Sequence, residues 1–321
     1  MSTIRFRRFR QADSAAVSAL FRQVYGENYV QPDVYLPSMI GQHNADNRWH
    51  SMLALIDERI VGHAALCRDA HSLDHAEFAL CLVHPQARGK NIATRLGREL
   101  LRRASRLGLK SVSIKQVTHH LYTQQMAQKL GFKNIGLLPD YVPSPFGESH
   151  EESVVIGYQM VKGHARPLPQ LEWPAACATF MGQLSASFGT RNDSPSQRSF
   201  PMQISQHHER VEVVLYQLDK SVLLQLEQLP AHWMISIKLD LSQHSPQSMR
   251  RLCAIDFVFT GLMPAPAASG WYALFHRGAK PRPVSFYCPH MQQLHDTLLH
   301  RQAESPHRQL PESVRTNPLP G

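Results

Sequence analysis

Residues 83–96 read Val-His-Pro-Gln-Ala-Arg-Gly-Lys-Asn-Ile-Ala-Thr-Arg-Leu. An apolar run, Ala76 to Val83, enters a short loop, and the loop opens directly onto a basic amphipathic helix. Arg88, Gly89, Lys90 and Asn91 form the loop's end, while Ile92 and the small Ala93 begin the helix. This order of residue types suits an anion. The first N–H groups of a helix lack an intrahelical acceptor and carry partial positive charge, which favours a phosphate or pyrophosphate. Gly89 removes the Cβ that would obstruct a close backbone approach. Arg88 and Lys90 add charge, and an arginine can grip a phosphate through two donors.

Other chemistries are poorly supported. Cys67, Cys81, Cys177, Cys253 and Cys288 are odd in number, widely spaced and outside any zinc-type spacing, so neither a disulfide scaffold nor a metal is expected. A reducing cytoplasm fits them. The 19 histidines are scattered, and the adjacent pairs His119-His120 and His207-His208 do not point the same way on a helix or strand. With 43% hydrophobic and 18% charged residues, the 321-residue chain has apolar mass for two packed domains. The longest uncharged run, Phe257 to Phe275, is broken by Gly261, Pro264, Pro266 and Gly270, so no membrane span is expected. The N-terminus carries basic residues but no apolar h-region, so a secretory signal is not expected either. The net charge of +9 fits a phosphorylated ligand, and nucleic acid ranks last because the arginine clusters lack interleaved aromatics.

The elements that must hold the basic loop follow from periodicity. Ile4, Phe6 and Phe9 begin a strand. Asp13 is placed as the N-cap of a helix carrying Ala16, Val17, Leu20, Phe21 and Val24, and Gly26 ends it. A loop rich in Tyr, Pro and Asn runs to about residue 47. Ser51 to Ile56 and Ile60 to Cys67 are strands around Asp57-Glu58-Arg59. After the basic loop, Ile92, Leu96, Leu100, Leu101 and Ala104 stripe a helix. Strand Leu109 to Lys115, helix Tyr122 to Leu130, and strands at Ile135 and Val154 to Val161 complete a mixed α/β sheet with the order β-α-β-β-β-α-β-α-β-β.

At this point the sequence resembles the GNAT (Gcn5-related) N-acetyltransferase superfamily, whose acyl-CoA loop has the pattern (Gln/Arg)-x-x-Gly-x-(Gly/Ala). Arg88, Gly89 and Ala93 fit it; Asn91 stands where a glycine is usual, and Asn tolerates left-handed backbone angles. Lys129-Leu130-Gly131-Phe132 with Gly136-Leu137 is similar to the superfamily's late helix-to-strand signature. The resemblance spans roughly residues 2–162 and implies a GNAT fold with a mostly antiparallel mixed sheet. It also implies acetyl-CoA or another short acyl-CoA as donor, with no metal.

By the same resemblance, Leu82 and Val83 supply backbone contacts to the pantetheine arm, and residues 88–93 hold the pyrophosphate. Glu77 on the central strand becomes the expected base, the alternative being a strand-edge carboxylate in a surface ion pair. The usual acid, a tyrosine five residues before the helix-ending Phe, is Ala127 here, which leaves Tyr122 as the expected proton donor or else as a half-buried packing residue. His119 and His120 are alternative bases or solvated loop residues. Tyr25, Tyr29 and Tyr35 would cover the acceptor, and Cys67, Cys81 and Leu82 would line the acyl end. Cys81 has no adjacent base or cation that would make it a nucleophile.

Residues 163–173 read as a linker. Beyond it, Pro174 to Leu184 and Ser221 to Leu229 are expected helices, Val211 to Tyr216 is an expected strand, and 185–209 is an expected loop. Leu130 to Pro139 aligns with Ile255 to Pro264, at an offset of 125 residues, and Val112-Ser-Ile-Lys115 recurs as Ile235-Ser-Ile-Lys238. Residues 174–301 are therefore expected to be a smaller, degenerate GNAT-like domain without a phosphate loop, and residues 302–321 a disordered tail. The expected activity is cytoplasmic acyl transfer to a small-molecule or protein amine. The rival is a non-catalytic CoA-binding sensor or interaction protein.

Overall fold

The computed structural model describes residues 3–69, 74–144, 150–192, 201–230, 232–266, 270–280 and 282–304. In the first half, β1 (Ile4–Arg8), α1 (Ser14–Tyr25) and α2 (Pro37–Ala45) lead into the strands β2 (Trp49–Ile56), β3 (Arg59–Cys67) and β4 (His75–Val83). Then follow α3 (Ile92–Arg106), β5 (Ser111–Val117), α4 (Tyr122–Lys129), β6 (Lys133–Pro143) and β7 (Glu151–Met160). In the second half come β8 (Leu168–Pro169), α5 (Ala175–Phe188), β9 (Thr190–Arg191), β10 (Met202–His207), β11 (Arg210–Leu215) and α6 (Lys220–Gln228). After them lie β12 (Met234–Asp240), α7 (Ser245–Ala254), β13 (Val258–Pro264), β14 (Trp271–Arg277) and α8 (Pro289–Glu304).

Both halves join in one mixed, mostly antiparallel sheet of twelve strands, ordered β1-β2-β3-β4-β5-β7-β6-β13-β14-β12-β11-β10. About the β6–β13 boundary the order reads alike outward: β6-β7-β5-β4-β3 on one side and β13-β14-β12-β11-β10 on the other. The senses match as well. β4–β5 and β11–β12 are parallel pairs, and the neighbouring pairs in both runs are antiparallel.

The apolar periodicities explain the layers. Leu96, Leu100 and Ala104 of α3 close over Val112, Ile114 and Phe132 on one face. Val17, Leu20 and Phe21 of α1, with Ile40 of α2, cover Leu53 and Leu80 on the other. A third cluster crosses the junction, packing Ile135, Leu137 and Val155 with Ile235, Ile237 and Phe275. Each such side chain contributes roughly 1.5–3 kcal/mol when fully buried, so the shared core ties the halves together. The connecting segment is packed too, with Leu168 fully buried and Arg166 donating to the carbonyls of Ala265 and Gly270.

Several expectations are corrected. The loop expected through residue 47 contains α2, and the one at 185–209 contains β9 and β10. Asp13 does precede α1, but its carboxylate accepts from Arg7, at 2.6 and 2.8 Å, and from the Arg10 N–H. Residues 302–304, placed in a disordered tail, continue α8, and 305–321 lie outside the described residues.

Candidate active site

The site begins at a defect in β4. Leu80 has a left-handed φ of +54°, and the register against β3 shifts between Ala79 and Leu82. An extra residue of this kind bends a strand and leaves backbone groups off the ladder. His63, fully buried on β3, meets the Leu80 carbonyl through Nδ1 at 2.8 Å, and its Nε2 lies 3.0 Å from Ser51 Oγ. Donation from Nδ1–H to the carbonyl makes Nε2 the acceptor for the Ser51 hydroxyl. Burial lowers the His63 pKa to about 4, so the ring is neutral at pH 7.

Beyond the bulge β4 leaves β5. Their parallel pairing covers only His75–Phe78 against Ser111–Ile114. Ala79 to Val83 therefore have no ladder partner on that side, and a cavity of about 550 Å³ opens there. Ala79 and Cys81 of β4, Lys115 and Val117 of β5, Tyr25 at the end of α1 and Tyr29 beyond it are among its walls. Leu82 and Val83 pair with β3; the Leu82 side chain packs in the α1 core and that of Val83 against the α3 core.

From Val83 the chain makes a single 3₁₀ turn, Pro85–Ala87, and runs through Arg88, Gly89 and Lys90. Gly89 has φ +78°, and a Cβ there would meet nothing of the protein within 4 Å, so the space beside its backbone is open. Asn91 is left-handed at φ 56° and ψ 22°, and its side chain makes no capping bond to α3. The conformation is the one the sequence suggested Asn could tolerate, and the helix N-terminus stays open to an outside anion. Ile92 anchors this turn in the core while residues 88–91 are exposed; Ala93 is half-buried against α3's core.

Glu77 lines the cavity with its carboxylate 3.0 Å from Lys115 Nζ, an ion pair of the kind weighed against a base at this position. Lys115 also sits 5.4 Å from the Tyr141 ring centroid. Burial alone would depress the Lys115 ammonium, but Glu77 and Tyr141 outweigh it and hold its pKa above the usual lysine value. His119 and His120 line the cavity as well. His119 Nδ1 lies 2.6 Å from Oε2 of Glu152, a buried carboxylate on β7. Burial, and after it the neighbouring His119, lowers the pKa of His120.

Tyr122 occupies the first position of α4, is 78% exposed and stands outside the cavity lining; its ring meets only the edge of the site, 5.3 Å from His120. Ala127 is buried in the core. Tyr25 and Tyr29 reach the cavity, whereas Tyr35 packs in the α1 core and accepts from the Tyr29 N–H. Burial pushes the Tyr25 pKa up to about 12 and Tyr29 well above the usual value, keeping both phenols protonated. Cys67 and Cys81 line the cavity, and Leu82 does not. Burial pushes the Cys81 thiol to about 12, so it is no nucleophile at neutral pH. Among the described residues no group of His, Cys, Asp and Glu is placed to hold a metal ion, and no helix is long and apolar enough to cross a membrane.

The sequence did not point to His63, Lys115 or Glu152. Each acts on a partner at least 17 residues away, and only strand pairing brings them together.

The second half repeats part of the arrangement and closes the rest. Glu212 pairs in register with Ser236 as Glu77 does with Ser113, and Lys238 Nζ meets Glu212 Oε2 at 2.8 Å. However, β11 and β12 pair along all of Arg210–Leu215, so no gap opens. The N-terminus of α6 is capped by its own carboxylate, Asp219, which accepts from the Val222 N–H. An anion has no room there.

The fold and site together define a mixed α/β protein in which a splayed parallel strand pair leads to an open helix N-terminus. Residues 15–132 match the family model described as "Acetyltransferase (GNAT) family". Among solved structures, the chain is similar to an N-acetyltransferase from Staphylococcus aureus Mu50, with 16% identity over 50% of this chain and 100% of that one, at a TM-score of 0.45. It is also similar to YncA of Salmonella typhimurium, solved with its cofactor acetyl-CoA, with 18% identity over 52% and 98% at 0.44. A third is the ribosomal-protein-S18-alanine N-acetyltransferase of Escherichia coli, with 13% identity over 52% and 100% at 0.42. No curated protein matches the chain.

Proposed function

We propose that the chain is an acyl-CoA-dependent N-acyltransferase that moves acetyl, or another short acyl group, to a primary amine by direct attack on the thioester. The observation that carries this reading is the gap between β4 and β5 leading, through Val83 to Asn91, to the open N-terminus of α3. The backbone from Ala79 to Val83, including Leu82 and Val83, has no ladder partner on its β5 side and suits the amides of a pantetheine arm. The N–H groups of residues 88–93, with Arg88 and Lys90, suit its pyrophosphate. Bound there, CoA supplies the activated acyl group.

The chain's own residues then handle protons and position. Glu77, balanced by Lys115, holds the incoming ammonium. His119, oriented through Nδ1 by the Glu152 carboxyl group, takes the proton at Nε2. Tyr122 faces solvent, so the hydrogen bond to the departing sulfur is assigned to Tyr25, a phenol already in the cavity. Thiol release from acetyl-CoA with a panel of amines tests the activity. Release above the rate without amine supports it, and binding of CoA without release by any amine favours the second reading, a CoA-binding sensor. Ala127, which leaves the usual acid position without a proton donor, is the feature that favours that second reading.

A further inference from the structure

A second cleft, of about 180 Å³, lies on the C-terminal half between β6 and β11. Its walls include Arg210, Glu212, Ser236, Lys238 and His276. Tyr141 of β6 lines both this cleft and the acyl-transfer cavity, so the two meet at its ring. The alternation of β12 explains the polar floor: Ile235, Ile237 and Leu239 point into the core, and Ser236 and Lys238 lie on the half-buried face. His276 bonds Thr260 through Nδ1 at 2.8 Å and is held neutral by burial and, after it, by Lys238.

We propose that the acceptor is an extended peptide, its amine at Glu77 and its body running past Tyr141 into this second cleft. The inference rests on the donor site described above. Charge selects the class. Glu77 pairs with Lys115 in the first cavity and Glu212 with Lys238 in the second, and Arg210 of the second cleft pairs with Glu151 beside it. A polyamine would meet a cation beside every carboxylate, and a nucleic acid would meet a carboxylate beside every cation. A peptide backbone offers donors and acceptors together and fits such a surface.

Length selects further. Six strand steps separate β4 from β12, about 29 Å at ~4.8 Å per step, which an extended chain of about nine residues spans at ~3.3 Å each. A compact amine does not reach both clefts. The second cleft is a docking site and not a second transfer centre, because β11 and β12 have no gap and Asp219 fills the α6 N-terminus.

The test offers the full chain acetyl-CoA with lysine-bearing peptides of three and of nine residues, and with spermidine, read by mass spectrometry. The nine-residue peptides should be acetylated with kcat/KM at least tenfold above the tripeptides. Glu212→Gln with Lys238→Met should raise their KM at least tenfold while the affinity for CoA, measured by calorimetry, is unchanged. Ser236→Trp, which fills the cleft while leaving both charged residues in the chain, should do the same, with melting curves confirming that each variant folds. Three results would overturn the proposal: wild-type protein that binds CoA yet modifies no nine-residue peptide, equal use of short and long acceptors, or unchanged KM in both variants. Absence of CoA binding would overturn the donor site itself, and this inference with it.

Discussion

Gly136 and Gly261 face each other at the backbone bridge that joins β6 to β13, and they are the same position in the two aligned segments of the sequence. A local twofold relation of the sheet passes between them, since equivalent strands lie at equal distances on either side. The approach is too close for side chains. A Cβ on Gly136 would stand 2.5 Å from the Leu262 carbonyl oxygen, and one on Gly261 would stand 2.5 Å from Gly136 Cα. Gly261 also has φ +115°, which only glycine adopts without strain.

Gly261→Ala therefore combines backbone strain with a clash against backbone, and should cost about 2–4 kcal/mol. A melting temperature several degrees below wild type is expected by calorimetry. An unchanged value would mean that the β6–β13 seam is not closed in solution.

His63 predicts a pH dependence. The unfolded chain binds a proton near 6.5, whereas the buried ring resists it until about 4. The folded pKa is the lower one, so stability from this group is complete at neutral pH and declines as pH falls through that window. It amounts to ~3 kcal/mol by pH 4. Urea denaturation at pH 7, 6 and 5 should show the decline, with a flatter slope for His63→Gln. Identical slopes would remove His63 as its source.

Asn91 tests the backbone of the phosphate loop. Asn91→Gly fits the same left-handed angles and should bind CoA at least as well as wild type. Asn91→Val carries a penalty of about 1–2 kcal/mol in that conformation and should weaken binding roughly tenfold. Equal affinities would mean that the αL geometry at residue 91 is not needed.

Glu152 tests the proton path. Glu152→Gln keeps the shape but removes the charge that orients His119, and should lower kcat about 10²-fold while leaving CoA affinity intact. A change in KM alone would instead make Glu152 a packing residue.

Much of the frame was legible in sequence because it is local. The apolar stripe of α3, the Arg88-Gly89 loop and the recurrence of Val112-Ser-Ile-Lys115 all lie within single elements. What escaped is what lacks local periodicity. The Gly-Gln-His-Asn run of α2 carries no clear stripe, and proline-rich flanks disguise it as loop. Strand β10 hides in a Ser/Gln-rich stretch, and α8 carries polar residues through most of its length. Within the site, Glu77 was legible by resemblance, but the pairs Glu77–Lys115 and His119–Glu152 form across strands. Tyr122 lies on the expected helix but at its first position, where the side chain is exposed instead of packed.

Calorimetric titration with acetyl-CoA and with free CoA, set beside Gly89→Glu, tests the central claim most directly. The substitution places a carboxylate and a strained left-handed residue at the phosphate loop, where the wild-type backbone is open. Micromolar binding to wild type, weakened at least 100-fold in the variant, is the predicted result. No heat with wild type, or equal affinity in both proteins, would contradict the donor site and the acyl-transfer function built on it.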